Sequence, residues 1–316
     1  MSASAEYTYA NGRYKFRYKR KLADGSLAFD TTATRQNGDV QSLRTEIGIY
    51  GYIPEGKWNI NGYFFTSERG IPGAIVNNVF RHGERQWDKA AFGQGSFSKK
   101  ITDFYELKVN GKFSWDYLRF LRNDPKELYL DNSYYQREAY ISFANLFKLT
   151  DWWNISFAID GQMNNLTSFT ALSDSPIKPT RFTEFYSLAT AFNFSHVNIQ
   201  ASVLATTVQE TARKDEYKFK DKFSRFSPTV FISYTPVLGQ NFRFVGFYKK
   251  IFRMPTFNEK FYTETGNAAN VNPEYASQYD FGIEYKKEFN STFFDYINLK
   301  ADGYFNKITD KIITYP

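Results

Sequence analysis

Apolar and polar side chains alternate over segments of about ten residues along most of this chain. The alternation is clearest at 153–162, 196–205, 225–234 and 297–305. In the second of these segments, Ile199 and Val203 would lie on one face of a β-strand and Gln200 on the other, because successive side chains of a strand point to opposite faces. One apolar and one polar face per strand is typical of a transmembrane β-barrel, which has lipid outside and a polar lumen inside.

The pattern predicts about fourteen strands, joined by connections that are alternately short and long. We place the strands at 2–10, 12–20, 39–53, 57–68, 88–98, 102–119, 133–147, 152–163, 181–193, 196–208, 224–235, 241–251, 275–287 and 293–307. Short connections with turn residues are predicted at 11–12, 54–56, 150–151, 193–195, 236–240 and 289–292, and long ones at 21–38, 69–87, 120–132, 164–180, 209–223 and 252–274. Outer-membrane barrels likewise have short turns on one rim and long loops on the other.

Composition agrees with this fold class. Aromatic residues make up 20% of the 316 residues, which aromatic girdles at two membrane interfaces would explain. No apolar stretch is long enough for a membrane helix, and mean hydropathy is −0.53. The soluble alternative is an all-β sandwich or a stacked repeat, but the predicted strands are long for a sandwich and no internal repeat is found.

Charge and cysteine content narrow the chemistry. The net charge is +7, but the basic residues are spread along strands and loops, which favours solvated strand faces and barrel rims over an anion-binding patch. The absence of cysteine excludes disulfides and thiolate metal sites. Because residues 1–5 contain no secretory signal, we expect either that a signal was removed or that the chain is an internal fragment.

Several short motifs keep the order and spacing of a known family. They are Phe252-Arg253-Met254-Pro255-Thr256-Phe257-Asn258-Glu259, Gly266-Asn267, Asn272-Pro273-Glu274 and Tyr279-Asp280-Phe281-Gly282, with Glu68-Arg69-Gly70-Ile71-Pro72-Gly73 and Arg85-Gln86-Trp87-Asp88 upstream. In these motifs the chain resembles TonB-dependent outer-membrane receptors, and the upstream pair resembles Bacteroidetes-type members. The resemblance implies that 1–316 is one domain, about fourteen strands of a 22-stranded antiparallel transmembrane β-barrel. It implies further that the plug domain and terminal strands are absent from it.

The resemblance also implies a function in the outer membrane. We expect a receptor for TonB-energised uptake of a metal chelate, such as a ferric siderophore or cobalamin. The expected partners are the TonB–ExbB–ExbD system acting through the plug, the metal chelate, outer-membrane lipid and a surface lipoprotein, with no nucleic acid and no cofactor. The alternatives are a haem receptor, which would need a histidine that the stretch between the 252–255 and 272–275 boxes lacks, or a passive porin or structural barrel. No catalytic or metal-ligating constellation can be assembled, so an enzyme is not expected.

Two sets of candidate site residues follow. Loop residues expected to contact the ligand are Arg81, His82, Arg85, Trp87, Tyr262, Asn267 and Asn270. Motif residues expected to shape the loops and the barrel rim are Arg69, Gly70, Pro72, Gly73, Arg253, Pro255, Glu259, Pro273 and Glu274. For the second set we expect loop folding rather than ligand contact, because Pro255 and Pro273 lack the N–H that a continuing strand needs and Gly70 and Gly73 flank Pro72 in a predicted tight turn.

Overall fold

The structure, a computed structural model, describes residues 1–73, 83–123, 128–171, 173–214, 217–237, 242–261, 271–289 and 295–313. These residues form fifteen β-strands and one short helix. The strands are β1 Ser2–Ala10, β2 Lys15–Lys21, β3 Leu27–Thr34, β4 Val40–Ile53, β5 Gly56–Ile71, β6 Glu84–Thr102, β7 Tyr105–Arg122, β8 Leu130–Lys148, β9 Trp153–Thr170, β10 Ser173–Asn193, β11 Val197–Lys214, β12 Tyr217–Tyr234, β13 Phe242–Arg253, β14 Glu274–Glu288 and β15 Tyr296–Thr309, and the helix is α1 Phe257–Phe261.

Thirteen of the strands form one antiparallel sheet in the order β1, β4 and then β5 to β15. From β4 to β15 neighbouring strands are sequential hairpins, as in an up-and-down barrel. Within the described residues β1 and β15 each pair on one side only, so the sheet is open. No described helix has the length and apolarity needed to cross a membrane.

The second predicted strand was assigned to the wrong sheet. Residues 12–20 do not pair with β1; β2 pairs with β3 in a separate two-stranded hairpin, and β1 pairs directly with β4. The Asn11-Gly12 turn therefore lies on the long-loop rim, at the base of this hairpin. Gly12 has a φ of 58°, and an added Cβ would meet the Gly38 carbonyl. Alternation alone could not show this, because it identifies strands but not their partners.

Two predicted long loops are mostly strand. β9 and β10 continue through 164–180 apart from a turn near Ala171, and β11 and β12 occupy most of 209–223. The alternation fades there because polar residues such as Thr180, Thr211 and Lys220 occupy outward positions as well. The backbone ladder nevertheless continues, since antiparallel pairing needs main-chain groups rather than an apolar face.

The two faces of the sheet differ as the alternation predicts. The outward face exposes large apolar side chains, among them Leu188 (51%), Phe281 (58%) and Leu299 (61%). The inward face carries small polar side chains that are buried, including Ser114 and Ser142. Such a sheet suits lipid on one side and a polar interior on the other.

Aromatic side chains collect at two heights on the outward face. At the short-turn rim Trp153 stacks on Phe192 at 5.9 Å, and Phe147 stacks on Tyr105 at 5.0 Å. Towards the long-loop rim Tyr135 packs on Tyr117 at 4.9 Å. Phe147 and Tyr135 both lie on β8, and at about 3.3 Å per residue and a tilt of about 40° they are about 30 Å apart along the barrel axis, close to the height of an outer-membrane apolar band.

Candidate functional site: the inner face beneath the 254–273 loop

The loop after β13 starts with a capping box. β13 ends at Arg253, Pro255 is buried, and Thr256 is the N-cap of α1. The Glu259 amide donates to Thr256 Oγ1 at 3.2 Å, and the Thr256 amide donates to Glu259 Oε2 at 2.7 Å. This reciprocal pair satisfies two amides that the first turn of a helix leaves without partners, so the motif specifies where α1 begins.

Arg253 ties the two ends of the loop together. Its Nη1 donates to both carboxylate oxygens of Glu259 at 3.0 Å, and its Nη2 donates to Glu274 at 3.4 Å. Burial alone would raise the pKa of Glu259, but the Thr256 amide and Arg253 outweigh it and hold that pKa below its usual value. β14 begins at Glu274, directly after the buried Pro273, as the motif predicts.

A buried ion cluster fastens α1 to the inner face of the sheet. Glu210 on β11 is 1% exposed; it accepts a hydrogen bond from Lys260 Nζ at 2.6 Å and one from Arg181 Nε at 2.7 Å. The Arg181 guanidinium also lies 4.9 Å from the centre of the Phe257 ring. Removing one partner from such a cluster leaves a buried charge uncompensated, so the cluster holds α1 against the sheet.

Beside the end of β13 the inner face forms an open cavity of about 650 Å³. Its wall combines polar side chains such as Gln162 and Asn164 with the cations Arg181, Lys249 and Arg253. A second cavity of about 330 Å³ lies nearer the short-turn rim and shares Ser202 and Thr229 with the first. The two cavities adjoin, and both combine polar side chains with apolar ones such as Leu204 in the first and Leu146 in the second.

The upstream motif lies on the opposite, outward side of the sheet. An added Cβ at Gly70 would come within 2.4 Å of Asn37 Oδ1, so the chain leaving the β2–β3 hairpin crosses outside the wall at this point. Arg35 donates to the carbonyls of Pro72 and Gly73, and Gly73 has a φ of 64°. Within this motif Arg69 faces inward, and its Nη2 lies 3.5 Å from Asp88 Oδ2.

Two of the predicted ligand-contact residues are described, and neither lines the cavity. Arg85 donates to Asp39 at 2.9 Å and to Glu68 at 2.7 Å, and Trp87 lies 5.1 Å below the Arg119 guanidinium. Both occupy outward positions on β6. The other candidates lie outside the described residues: Arg81, His82, Tyr262, Asn267 and Asn270. Their contact with ligand stays a prediction.

The sequence interpretation missed the ion cluster. Arg181 and Glu210 stand at polar positions of alternating strands, where a charged residue is most simply solvated. Only the register of β10 against β11, which places Arg181 opposite Glu210, brings the charges together. Among the described residues, no three His, Cys, Asp or Glu side chains are grouped as a metal site would require.

Comparison with known proteins identifies the architecture. Residues 180–316 match the family model described as TonB dependent receptor-like, beta-barrel. No curated protein sequence matches the chain. Among solved structures, the copper transporter OprC aligns with a TM-score of 0.68 at 10% identity over 97% of this chain and 53% of its own. The FrpB iron transporter from Neisseria meningitidis aligns with a TM-score of 0.67 at 10% identity over 98% and 50%.

The chain covers only part of each of these solved structures. The ferric citrate transporter FecA aligns with a TM-score of 0.62 at 9% identity over 97% of this chain and 53% of its own, so the chain spans about half the length of these structures. Residues 180–316 match the model of the TonB-dependent receptor-like β-barrels, and the sheet has the fold of TonB-dependent receptors. These are outer-membrane proteins and not enzymes. The Bacteroidetes type and the absence of a plug stay predictions.

Proposed function

We propose that this barrel wall belongs to an outer-membrane receptor that takes up a metal chelate with energy from the TonB–ExbB–ExbD system. The observation that carries the proposal is the attachment of α1 to the inner face: Lys260 of α1 reaches the buried Glu210, and Arg181, which also binds Glu210, lines the cavity of about 650 Å³. A passive channel needs a polar wall, but it has no need of a helix fixed to that wall by buried charges. A receptor does need one, since affinity depends on contacts that are already in place.

The charge of the cavity favours an anionic chelate. Arg181 and Arg253 are compensated by Glu210 and Glu259. Lys249 makes no ion pair among the described residues, so it supplies the cavity with an uncompensated positive charge. Ferric siderophores with carboxylate or other anionic groups suit that charge, and cobalamin remains the second candidate cargo.

Uptake by cells that produce the full-length protein tests the proposal. We expect radioactive iron supplied as ferric citrate or a ferric siderophore, or radioactive cobalamin, to enter only when TonB is intact. A protonophore should stop uptake without stopping surface binding. Uptake that continues at the same rate without TonB would show a passive porin instead.

A charge variant tests the role of the cavity. Lys249→Gln should weaken binding of the transported anionic chelate about tenfold, which is the effect of losing one charge-assisted hydrogen bond. Lys148→Gln, which removes the same charge at the exposed short-turn rim, should leave affinity unchanged. Equal affinity in both variants would place recognition elsewhere.

A further inference from the structure

The sheet separates between β12 and β13 towards the long-loop rim. β12 pairs with β11 along its whole length, but it pairs with β13 only from Thr229 to Tyr234. Beyond Lys249, β13 continues to Arg253 paired with β14 alone. Within the described residues no strand pairs with the β13 side of 220–228, so the wall is open between these two neighbouring strands.

Two features of the chain explain the opening. Lys260 of α1 reaches Glu210 on β11, so the chain that leaves β13 crosses the inner side of β12 instead of continuing beside it. Pro228 is the first residue of β12 beyond the last pair with β13. Because proline has no N–H to donate, it lies at the edges of sheets, and here it lies where β12 loses its neighbour.

A side-chain contact bounds the opening from above. Arg225 on β12 donates from Nε to the hydroxyl of Tyr275 on β14 at 3.0 Å, and its guanidinium lies 5.6 Å from the centre of that ring. Arg225 is about 13 Å from Thr229 along the strand, at about 3.3 Å per residue. We call the opening between 225–229 of β12 and 249–252 of β13 the lateral window.

The lateral window lies at the depth of lipid chains. At the short-turn rim Tyr234 stacks on Phe244 at 6.4 Å. At a strand tilt of about 40°, the window extends from about 13 Å to about 23 Å above this pair, within an apolar band about 25 Å tall. Unpaired backbone at this depth is tolerated only where it is buried in protein or lines a water-filled cavity.

Cavities on the two sides of the wall meet at the lateral window. The inner cavity of about 650 Å³ is lined by Lys249, and also by Lys250 and Phe252. Because alternate residues of a strand face opposite sides, the cavity reaches around the free edge of β13. The cavity on the outward face begins at the next pair below the window, Val230 and Tyr248.

The outward cavity is an apolar groove of about 530 Å³. Its floor is Gly246, which has no side chain, and its walls are the register partners of Gly246, Ile232 and Phe281. Phe244 lies at its lower end and Tyr248 at its upper end, beside the lateral window. A groove of this composition on a lipid-facing surface suits a hydrocarbon chain.

The lateval window itself carries positive charge. Lys249 and Lys250 are both exposed, and neither makes an ion pair among the described residues. Positive charge beside an apolar groove complements an amphiphile that has an anionic head and a hydrocarbon chain.

We propose that the lateral window binds an amphiphile with an anionic head and one hydrocarbon chain, the head at Lys249 and Lys250 and the chain in the outward groove. The ligand enters from the lipid side of the wall. Two sources supply this chemistry: a long-chain fatty acid of the membrane or an acylated metal chelate. The acylated chelate rests on the proposed uptake function, whereas the binding site does not depend on it.

Photocrosslinking of the full-length protein in isolated outer membranes tests the site. The probe is palmitic acid with a diazirine near its chain end, and we expect saturable labelling of 230–234 and 244–248 by mass spectrometry. Val230→Trp fills the upper end of the groove and should raise the concentration for half-maximal labelling about tenfold, the effect of displacing about two methylene groups. The control Ile159→Trp adds the same ring on the outward face of β9 and should leave it unchanged.

A second pair of variants tests the head. Lys250→Gln should raise the concentration for half-maximal labelling about tenfold, and Lys148→Gln at the short-turn rim should not. The photoreactive alcohol of the same chain length should label the unchanged protein and Lys250→Gln equally. Because Lys250 is exposed, its variant decides the matter should Val230→Trp fail to assemble. The proposal is wrong if the variants label as their controls do, or if the acid and the alcohol label the unchanged protein equally well.

Iron uptake distinguishes the two sources. Radioactive iron is supplied as a citrate hydroxamate chelate with or without a palmitoyl chain. If the ligand is acylated cargo, TonB-dependent uptake should favour the acylated chelate, and Val230→Trp but not Ile159→Trp should abolish that preference. If it is a membrane fatty acid, the crosslinking differences should persist while both chelates enter at equal rates. Absence of TonB-dependent uptake of any cargo with crosslinking intact would overturn the proposed uptake function and identify the ligand of the window as a fatty acid.

Discussion

At the scale of single residues, the Arg253–Glu259 stretch combines local folding with long-range attachment. Thr256 and Glu259 form the capping box, Arg253 closes the loop, and Lys260 reaches the buried Glu210. These contacts explain why this spacing of Arg, Pro, Thr and Glu is useful: a loop of this length is costly to order unless several strong contacts hold it.

The attachment can be broken at Glu210. In Glu210→Gln, Arg181 and Lys260 would lose their common carboxylate, and we expect detachment of α1 to become easier by about 3–5 kcal/mol. Trypsin should then cleave after Lys260, which is 5% exposed in the intact protein. In the control Glu288→Gln, which removes an exposed partner of Lys286, cleavage after Lys260 should be unchanged. Equal protection in both variants would mean that the cluster does not hold the loop.

The capping box should make the loop sensitive to acid. The pKa of Glu259 is below its usual value of 4.5 in the folded loop, so its contribution to stability is fully present above that value and is lost as pH falls through the lowered pKa. Hydrogen exchange of the 256–260 amides, corrected for intrinsic rates, should therefore accelerate in acid. Glu259→Gln should exchange faster at neutral pH and lose this dependence; an unchanged acid response in the variant would assign it to another group.

At the scale of elements, the strands combine two demands: apolar contact with lipid outside and a polar wall inside. Ile199 on β11 lies between Phe192 and Ile232, whereas the neighbouring Gln200 lies between Ala191 and Phe231 and lines the lower cavity. The register therefore keeps apolar residues beside apolar residues across strands, which is what a one-residue slip would destroy.

Charge should be tolerated on one face only. Leu188 is on the same outward face, four residues before Phe192 on β10 and so nearer the bilayer midplane. Leu188→Arg places a cation against lipid and should cost about 2–4 kcal/mol, while Ala189→Arg, on the inner face, should cost much less. The measurement is the fraction of full-length protein that reaches the heat-modifiable, folded form in the outer membrane. Similar assembly defects in the two variants would mean that the assigned faces are wrong.

The rims can be assigned by labelling. Asn165 lies in the predicted loop 164–180, but the structure places it within β9, opposite Arg137 and Thr180. A cysteine at this position would therefore be a poor label for the long-loop rim. Cysteines at Asp24 in the β2–β3 turn and at Ala171 between β9 and β10 should react with a membrane-impermeant reagent on intact cells. Cysteines at Thr150 and Ser195, at the short-turn rim, should react only after lysis. The reverse pattern would invert the topology.

At the scale of the whole molecule, the open sheet is the dominant feature. Both edge strands are exposed along their whole lengths and leave main-chain donors and acceptors unpaired on one side. A bilayer does not tolerate such edges, so they must be paired in the membrane.

The 316-residue chain on its own should therefore associate. In detergent we expect oligomers by light scattering and no submicromolar binding of a ferric siderophore or cobalamin by calorimetry, because an open sheet does not surround a ligand with contacts that are already in place. The control is the full-length protein in the same detergent. A monomer of the isolated chain that binds cargo with submicromolar affinity would show that this sheet suffices as a receptor.

How much of the structure the sequence predicts differs from residue to residue. Alternation placed Ile199 and Gln200 on their correct faces, and the prolines marked the ends of β13 and of the following loop. The β2–β3 hairpin was missed because β3, the partner of β2, looks like any other short alternating segment. Arg181 and Glu210 were missed because nothing local distinguishes a buried ion pair from two solvated charges.

The sequence by itself determined the strand period, the outward apolar face, the two rims and the Thr256–Glu259 cap, because each of these depends on side chains close together along the chain. Only the tertiary structure decided that β1 pairs with β4, that Glu210 anchors α1, and that β12 and β13 separate beyond Thr229 and Lys249. Those features depend on the register between strands, which joins residues that are distant in sequence and is set by the packing of the whole sheet.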